Sequence, residues 1–359
     1  MTYYPDQRFA SEYAVIRREV MLPELATGTI RITEGKKVDV RDVAAQGVMP
    51  SRHIIIDAMD ILGLRKPEEL LGLMQVEPGD TVEDQDVLAG KNPKRGKRVF
   101  APVRGIVARV DNGRIILQEM PEILNLEAGV RGRVVRVEPG RGLVIEASGG
   151  QIQGVWGNNR RVISVMRMEP DGGLKNIESD DLDLRYKGVV VITQNTLTMR
   201  SFEVMHDRNL VGIIAPSMDV SLMDIALNST GAIFLTEGFG DMRMSRALFT
   251  LFEKFNEQQI TLDAYMPGRW ENRYPEIVIN RTTREESPPR RPNPLLALRS
   301  TMTIRVSREP YAGQTAKVVE IPKLPVQLDN GLRVLCAKVE LSTGEVVFVP
   351  LSNIEILGR

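Results

Sequence analysis

Two internal repeats in the first half of the chain constrain the fold most strongly. Segment 35–45, GKKVDVRDVAA, recurs as segment 79–89, GDTVEDQDVLA, and segment 101–107, APVRGIV, recurs as segment 128–134, AGVRGRV. Glycines stand at matching places in the copies, which suits sharp corners between short strands because glycine adopts positive φ at little steric cost. The repeats therefore predict duplicated β modules over residues 26–168.

Two stretches around these modules have a helical pattern instead. Ile54, Ala58 and Ile61 recur at helical spacing and predict a short helical insert over residues 54–73. Residues 1–25 show a weak helical pattern and are expected to form an N-terminal arm.

The pattern changes after an acidic connector, residues 169–185. Continuous apolar runs, typical of strands buried on both faces, then alternate with helical segments. The expected strands are 188–193, 211–215, 232–236, 260–265 and 276–279, and the expected helices are 197–208, 220–227 and 244–256. This alternation predicts a small parallel, doubly wound α/β domain over residues 186–282.

The last part of the chain divides into a linker and a β module. Residues 283–297 are rich in proline and charge and lack periodicity, so they are expected to be a linker, either a plain spacer or a docking segment for a proline-recognising partner. Residues 298–359 alternate apolar and turn residues and predict an all-β module. The predicted fold class is therefore multidomain, α/β plus all-β.

Residues 76–117 have the sequence VEPGDTVEDQDVLAGKNPKRGKRVFAPVRGIVARVDNGRIIL. This segment resembles the barrel-sandwich hybrid, the β fold of biotinyl and lipoyl carrier domains. In those families the modified lysine lies seven residues before an Ala-Pro pair, which is the position of Lys94 before Ala101. Pro93 and Arg95 replace the methionines of biotinyl domains and the aspartate of lipoyl domains. The resemblance therefore implies an unmodified hybrid of the insert type, with no covalent cofactor on Lys94.

Segment 306–320, VSREPYAGQTAKVVE, resembles the KOW motif of transcription factor NusG and several ribosomal proteins. Gly313 and Val318 match the motif, whereas Ala316 stands where the family has its second glycine. The resemblance implies an SH3-like barrel at the C-terminal end of the chain and partners associated with nucleic acid.

Basic residues are concentrated in the hairpin that precedes the Ala-Pro pair. The chain has 47 Lys and Arg against 47 Asp and Glu, so any attraction to nucleic acid must come from a local patch. Residues 91–114 hold eight basic residues against one acid. The candidate patch for an anionic partner is Lys94, Arg95, Lys97 and Arg98. A solvated turn face, balanced by the acidic connector, is the alternative.

A ligand crevice is predicted in the α/β domain, because ligands of such sheets bind beyond the carboxyl ends of parallel strands. The candidate ligand-binding residues are Thr193, Asn195, Ser217, Asp219, Glu237, Gly238 and Gly240. The side chains of Ser217, Asp219 and Glu237 are expected to converge there. Arg243 stands in place of the third glycine of a dinucleotide-binding fingerprint, which argues against that ligand class.

Other residues that could carry chemistry are sparse. Trp156 lies in a glycine-flanked loop and fits either a partner anchor or a core side chain between the β modules. His53 and His206 are isolated, and no nucleophile constellation or metal-ligand spacing is visible, so no catalytic residue and no metal site are predicted. The single Cys336 excludes an internal disulfide framework and is expected in a buried strand.

Three hypotheses for function follow. No apolar run approaches the roughly 18 residues of a membrane span and the N-terminus lacks a signal-peptide pattern, so a cytoplasmic location is expected. The favoured hypothesis is a non-enzymatic adaptor or scaffold subunit of a larger, nucleic-acid-associated complex. The alternatives are a regulatory protein that binds a small anionic ligand in the α/β domain, and a carrier-type enzyme component. Chemistry assembled from distant residues stays open.

Overall fold

The computed structural model describes residues 3–5, 8–92, 94–178, 184–266, 268, 273–280 and 296–356. The chain is a strand-rich mixed α/β protein with several sheets, with 44% of the described residues in strands and 15% in helices. The coarse α/β plus all-β class is therefore confirmed. Pro93, residues 179–183 of the predicted connector and most of the predicted linker lie outside the described residues. No helix in the described part of the chain is long and apolar enough to span a membrane.

Short strands dominate the chain. Those of the first half are β1 (Ala10–Met21), β2 (Thr27–Thr29), β3 (Lys37–Val38), β4 (Val43–Val48), β5 (His53–Ile56), β6 (Thr81–Val82), β7 (Val87–Gly90), β8 (Arg98–Phe100), β9 (Gly105–Asp111), β10 (Arg114–Glu119), β11 (Ile123–Glu127), β12 (Gly132–Glu138), β13 (Gly142–Gln153), β14 (Trp156–Gly157) and β15 (Arg161–Met168). Those of the second half are β16 (Val190–Ile192), β17 (Gly212–Met218), β18 (Ala232–Phe239), β19 (Gln259–Asp263), β20 (Glu276–Asn280), β21 (Thr303–Val306), β22 (Thr315–Glu320), β23 (Val326–Gln327), β24 (Arg333–Val334), β25 (Cys336–Leu341), β26 (Val346–Pro350) and β27 (Ile354–Ile356).

In the part of the chain that the structure describes, helices are few and short. The α-helices are α1 (Ala58–Leu62), α2 (Met199–Asp207), α3 (Met223–Asn228) and α4 (Arg246–Lys254). The 3-10 turns are Pro67–Leu73, Leu174–Glu178, Leu184–Tyr186, Val220–Leu222 and Leu351–Asn353.

One large sheet runs through most of the chain. Among the described residues it has eleven strands, in the order β14-β18-β17-β16-β15-β19-β20-β13-β12-β3, and β1 also pairs with β13. Strands from the β-module region and from the α/β region therefore share one hydrogen-bonded sheet. The long strand β13 makes this connection: β1 pairs along nearly its whole length on one edge, and on the other edge β12 pairs with its first half and β20 with its second half.

The N-terminal arm is not helical, which corrects the sequence expectation. Residues 10–21 form β1, antiparallel to β13, with Ile16 paired to Ala147 and Val20 to Leu143. Burial alternates along the strand, and Arg18 occupies an inward position between Ile16 and Val20. A strand buries every second residue, so the alternation was present in the sequence but was obscured by the charge of Arg18.

The two sequence repeats fold in equivalent ways. Val38 pairs with Gly132 across β3 and β12, and Val82 pairs with Gly105 across β6 and β9. The same backbone hydrogen bond closes both copies, each at 2.8 Å: Ala128 N–H donates to the Asp42 carbonyl, and Ala101 N–H donates to the Asp86 carbonyl. Segment 35–45 therefore pairs with segment 128–134, and segment 79–89 pairs with segment 101–107. Each module is closed by pairing between one copy of the first repeat and one copy of the second.

The predicted helical insert, residues 54–73, is helical only in part. Its beginning belongs to β5, which pairs with β10, and the helical portion is limited to α1 and the 3-10 turn Pro67–Leu73. The three-residue run Ile54–Ile56 explains the difference, because consecutive β-branched residues favour a strand over a helix. These elements cover a small core that includes Leu70, Leu88 and Leu117.

The α/β region contains four parallel strands, β15 to β18. Helix α2 packs on one face through Phe202 and Met205, and α4 packs on the other through Phe252. Both faces of the sheet are therefore covered, as expected for buried parallel strands. Strands β19 and β20 run antiparallel to their neighbours, so the sheet is mixed where a fully parallel domain was predicted.

The C-terminal module is a separate antiparallel sheet in the order β26-β25-β22-β21-β27. The 3-10 turn Leu351–Asn353 lies between the two edge strands. Cys336 is buried in β25, as its apolar neighbours predicted. The module has its own core around Ile304, Val339 and Ile354.

Candidate functional site

The loops that follow the four parallel strands meet at one edge of the large sheet. The pairing of β17 with β18 slips between Ala215 and Ser217, because Pro216 has no N–H to donate. Ser217, just beyond this bulge, is fully buried. Its Oγ donates to the Met242 carbonyl (3.0 Å), accepts from Met242 N–H (3.1 Å) and lies 3.1 Å from Thr196 Oγ1. Ser217 thus ties together the loops that follow β16 and β18.

A cavity of about 310 Å³ opens beyond β15 and β16. Its walls come from the segment after β15, the loop after β16 and the first turn of α2. The lining residues are Glu169, Gly172, Gly173, Leu174, Lys175, Thr193, Asn195, Thr196, Thr198, Arg200, Ser201 and Val204. It lies where ligands bind in open α/β sheets, outside the carboxyl ends of the strands.

Glu169 forms the acidic wall of this cavity. Its Oε1 accepts from Gln194 N–H at 3.0 Å and from Asn195 Nδ2 at 3.3 Å. Its Oε2 is buried and accepts no hydrogen bond from the described residues. Glu169 was predicted to lie in the acidic connector, whereas it directly follows β15, the first of the four parallel strands, at the sheet edge where the cavity opens.

The predicted crevice residues are only partly brought together. Thr193 and Asn195 line the cavity, and Ser217 lies behind it through Thr196. Asp219 instead accepts from Ser221 N–H (2.8 Å) at the start of the turn Val220–Leu222. Hydrogen bonding from the Ser221 side chain, and then from its backbone N–H, lowers the pKa of the Asp219 carboxyl. The three side chains expected to converge do not do so, because Asp219 caps this turn and Glu237 lies elsewhere.

Gly238 is part of β18, so it does not lie in a loop as predicted. Gly240 follows that strand, and its N–H donates to the Met218 carbonyl at 2.9 Å, which extends the pairing with β17. Neither glycine lines the cavity beside Glu169.

Glu237 belongs to a buried ion cluster between the large sheet and the C-terminal module. It lies within β18, and its carboxylate contacts the guanidinium of Arg305 on β21. Arg305 Nη2 also donates to Glu355 Oε2 on β27 at 2.7 Å. Arg8, just before β1, donates to Glu355 at 2.6 Å and to the Thr236 carbonyl at 2.6 Å.

Burial is the main influence on the acids of this cluster. It raises the pKa of Glu237 to about 7, and the neighbouring Glu355 adds to the rise, whereas Arg8 acts in the opposite direction. Burial also raises the pKa of Glu355, against the effect of Arg8. The cluster therefore joins three parts of the chain with groups that titrate above the usual carboxylate range.

A second buried ion cluster lies inside the large sheet and was not predicted. The side chain of Arg18 is fully buried and donates to Asp263 Oδ2 (2.7 Å), Glu276 Oε1 (2.8 Å) and the Ala128 carbonyl (3.1 Å). Arg161 and Arg273 also contact Asp263 Oδ2, at 3.0 and 2.8 Å. Burial alone would raise the pKa of Asp263, but the three guanidiniums lower it to about 2.

The basic hairpin connects β7 to β8. Lys94, Arg95 and Lys97 are exposed at its tip, together with Lys91. Lys97 Nζ lies 3.3 Å from the position that a Cβ on Gly63 would occupy, so it folds back towards the end of α1. Arg98 is partly buried, and its guanidinium stacks on Phe100 at 4.9 Å from the ring centroid.

The outward-directed part of the tip is therefore Lys91, Lys94 and Arg95, which we call the hairpin tip. None of these three side chains forms an ion pair with a described residue. Exposed arginines of the same module differ: Arg104 pairs with Glu83, and further pairs are Arg109 with Asp111 and Arg114 with Asp57.

Trp156 is a core side chain, which removes it as a partner anchor. It lies in β14, which pairs with β18, and only 9% of its surface is exposed. Its ring packs edge-on against Phe239 with the centroids 5.6 Å apart. The short strand β14 and its tryptophan thus protect the edge of the parallel strands.

In the ranges that the structure describes, no cluster of three or more His, Cys, Asp or Glu residues could hold a metal ion. Comparison with known protein families finds no match, and comparison with curated proteins finds no significant relative.

Proposed function

We propose that this chain is a non-enzymatic scaffold subunit of a cytoplasmic, nucleic-acid-associated complex, and that the hairpin tip binds phosphate groups of the nucleic acid. The observation that carries the proposal is the contrast within one module. Lys91, Lys94 and Arg95 have no acidic partner among the described residues, whereas nearby exposed arginines each have one. Unpaired charges on a projecting tip contribute little to folding, and phosphate contacts are a use that suits them.

The finer fold assignments belong to this proposal. The equivalent closure of the two repeats supports duplicated modules similar to barrel-sandwich hybrids. The strand order β26-β25-β22-β21-β27, with a 3-10 turn before β27, supports an SH3-like, KOW-like barrel. Hybrid and KOW-like modules in one chain suit a protein that holds other components in place.

The connections between the modules also favour a scaffold. The large sheet takes strands from both halves of the chain, and the Glu237–Arg305–Glu355–Arg8 cluster attaches the C-terminal module to it. Buried charges that lose a partner are costly, so this attachment resists separation. A stiff body with a projecting basic tip can position a nucleic acid relative to protein partners bound elsewhere.

Substituting the hairpin tip tests the proposal. Lys91, Lys94 and Arg95 are replaced together by serine, and the matched control replaces Arg104, Arg109 and Arg114 by serine, which removes the same charge from the same module. Binding of the full chain to fluorescent duplex DNA and RNA oligonucleotides is measured by anisotropy at low salt.

We expect the hairpin-tip variant to bind about a hundredfold more weakly, because three lost contacts at roughly 1 kcal/mol each sum to about 3 kcal/mol. The control should lose less, because its arginines are already neutralised by neighbouring acids. Both variants should melt within a few degrees of the unmodified protein. Unchanged binding by the hairpin-tip variant, or equal loss in both variants, would show that the tip is not the docking site.

A further inference from the structure

Residues 53–119, which we call the arm, are inserted between two paired strands of a repeated module. These strands are β4 and β11, in which Val43 pairs with Glu127. Within the arm, Val87 pairs with Phe100 across β7 and β8. The two pairs are equivalent, because the two valines match in the first repeat and their partners each directly precede a copy of the second. The arm therefore occupies, between β4 and β11, the place that the basic hairpin occupies between β7 and β8.

The arm has a hydrophobic core of its own. Every buried and partly buried side chain of this core, including Leu70, Leu88 and Leu117, lies within residues 54–117. The hydrophobic clusters around β1 and β4 consist of residues outside the arm. The three arginine ion pairs described above also join arm residues to arm residues. A part of a chain with its own core behaves as a domain, and domains move relative to one another unless a large apolar interface joins them.

Two short segments, residues 49–52 and 120–122, connect the arm to the rest of the chain, and we call them the crossing. Each contains an exposed proline, Pro50 in one and Pro121 in the other. A proline has no N–H, so neither position can donate a hydrogen bond to a strand ladder. The pairing of β4 with β11 ends on one side of the crossing, and the pairing of β5 with β10 begins on the other.

Few interactions hold the arm at a fixed angle. Among the described residues, the backbone hydrogen bonds between the arm and other parts of the chain lie at the crossing. Glu119 N–H donates to the Arg52 carbonyl at 2.8 Å, and Met120 N–H donates to the Arg104 carbonyl at 3.1 Å. The side chains of Met120 and Ile123 are 36% and 66% exposed. An apolar interface that fixed the angle would bury them, so the crossing is not packed between two surfaces.

We propose that the arm rotates as a rigid body about the crossing, so that the hairpin tip it carries takes a range of positions relative to the large sheet. Hinges are a few residues in loops or at the ends of elements that absorb changes in φ and ψ. The crossing fits this description, because it is mostly exposed and interrupts the strand ladder. The rotation follows from the connectivity of the chain and does not depend on what the hairpin tip binds.

Distances between paired spin labels in the full chain, measured by pulsed electron paramagnetic resonance, test the rotation. Labels are attached through four substitutions of exposed acids, Glu68→Cys and Asp84→Cys in the arm and Asp207→Cys and Glu253→Cys on α2 and α4. The single native cysteine is removed by Cys336→Ala. Two pairs span the crossing, Glu68 with Asp207 and Asp84 with Glu253. The control pairs lie within the arm, Glu68 with Asp84, and within the α/β region, Asp207 with Glu253.

At least one spanning pair should give a distance distribution at least about twice as broad as those of both control pairs, because rotation changes only distances across a hinge. Two spanning pairs are used, since rotation about one axis leaves a distance along that axis unchanged. Distributions as narrow as the controls in both spanning pairs would overturn the proposal. A similarly broad distribution within the arm would also overturn it, because the arm would not be rigid. Circular dichroism confirms that each labelled variant is folded.

Hydrogen exchange of the unmodified full chain distinguishes rotation from local unfolding. The backbone amides of Val107 and Leu117, in the core of the arm, should stay protected, whereas those of Ser51 and Glu122, in the crossing, should exchange rapidly. Rapid exchange in the core of the arm would show that the arm unfolds instead of rotating. Protection of the crossing amides equal to that of the core would show that the crossing is not the hinge, and either result would overturn the proposal.

Discussion

At the scale of single residues, the most consequential side chain is one that the sequence patterns did not single out. Arg18 holds Asp263 and Glu276 inside the large sheet, at distances of 2.7 and 2.8 Å. Long-range pairings of this kind leave no local trace, because the partners lie more than 240 residues apart in the chain. Only the inward position of Arg18 between two apolar residues indicated that the charge is buried.

Asp263→Asn should destabilise the protein by about 3–5 kcal/mol, because it leaves three guanidiniums around a neutral group. Urea unfolding at pH 7 measures the loss. The matched variant Asp111→Asn removes an exposed acid that pairs with Arg109 and should cost no more than about 1 kcal/mol. Equal losses of stability in the two variants would contradict a stabilising role for the buried ion cluster of Arg18, Asp263 and Glu276.

Asp263 also predicts that the stability of the protein depends on pH. The pKa of Asp263 lies at about 2 in the folded protein and near 3.8 in the unfolded chain. A lowered folded-state pKa stabilises the protein above the unfolded-state pKa, and this contribution, about 2 kcal/mol, is lost as the pH falls from about 4 to 2. Asp263→Asn should therefore show a smaller loss of stability over that interval than the unmodified protein. Parallel pH profiles would contradict the assignment.

At the scale of elements, the sequence predicted local patterns well and distant pairings poorly. The repeats at 35–45 and 79–89 predicted equivalent strands, since their glycines and apolar residues act locally. By contrast, β1 was expected to be helical, because its strand conformation depends on β13, more than 120 residues away. Glu237 was placed in a loop, but β18 continues through it to Phe239, and nothing in the local sequence indicates where a buried strand ends.

The assignment of β1 as a core strand is testable by a pair of neighbouring substitutions. Ile16→Ala should destabilise the protein by about 2–5 kcal/mol, because Ile16 is 1% exposed and its loss leaves a cavity against β13. Arg17→Ala, on the outward face and paired with the exposed side of Glu146, should cost about 1 kcal/mol or less. Urea unfolding compares them, and similar costs for both would indicate a loosely attached arm.

At the scale of the whole molecule, the ion cluster of Glu237, Arg305, Glu355 and Arg8 joins the C-terminal module to the large sheet. The pKa of Glu237 is raised to about 7 in the folded protein, from near 4.5. An acid with a raised folded-state pKa contributes most stability below its unfolded-state pKa, and this contribution, about 3 kcal/mol, is lost as the pH rises from about 4.5 to 7.

Glu237→Gln should flatten this part of the pH–stability profile, because glutamine stays neutral throughout the range. Thermal melting between pH 4.5 and 7.5 measures the effect, and Glu345→Gln, an exposed acid of the C-terminal module, is the control. A profile that is equally steep in Glu237→Gln and in the unmodified protein would show that another group controls the attachment.

The central claim, that the hairpin tip binds phosphates of a nucleic acid, is tested most directly by the salt dependence of binding. Affinity for duplex DNA is measured across a range of salt concentrations for the unmodified chain and for the variant with Lys91, Lys94 and Arg95 replaced by serine. Each phosphate contact contributes about 0.9 to the slope of log affinity against log salt. Three contacts therefore predict a slope that is shallower by about 3 in the variant. Identical slopes and affinities in the two proteins would contradict the claim.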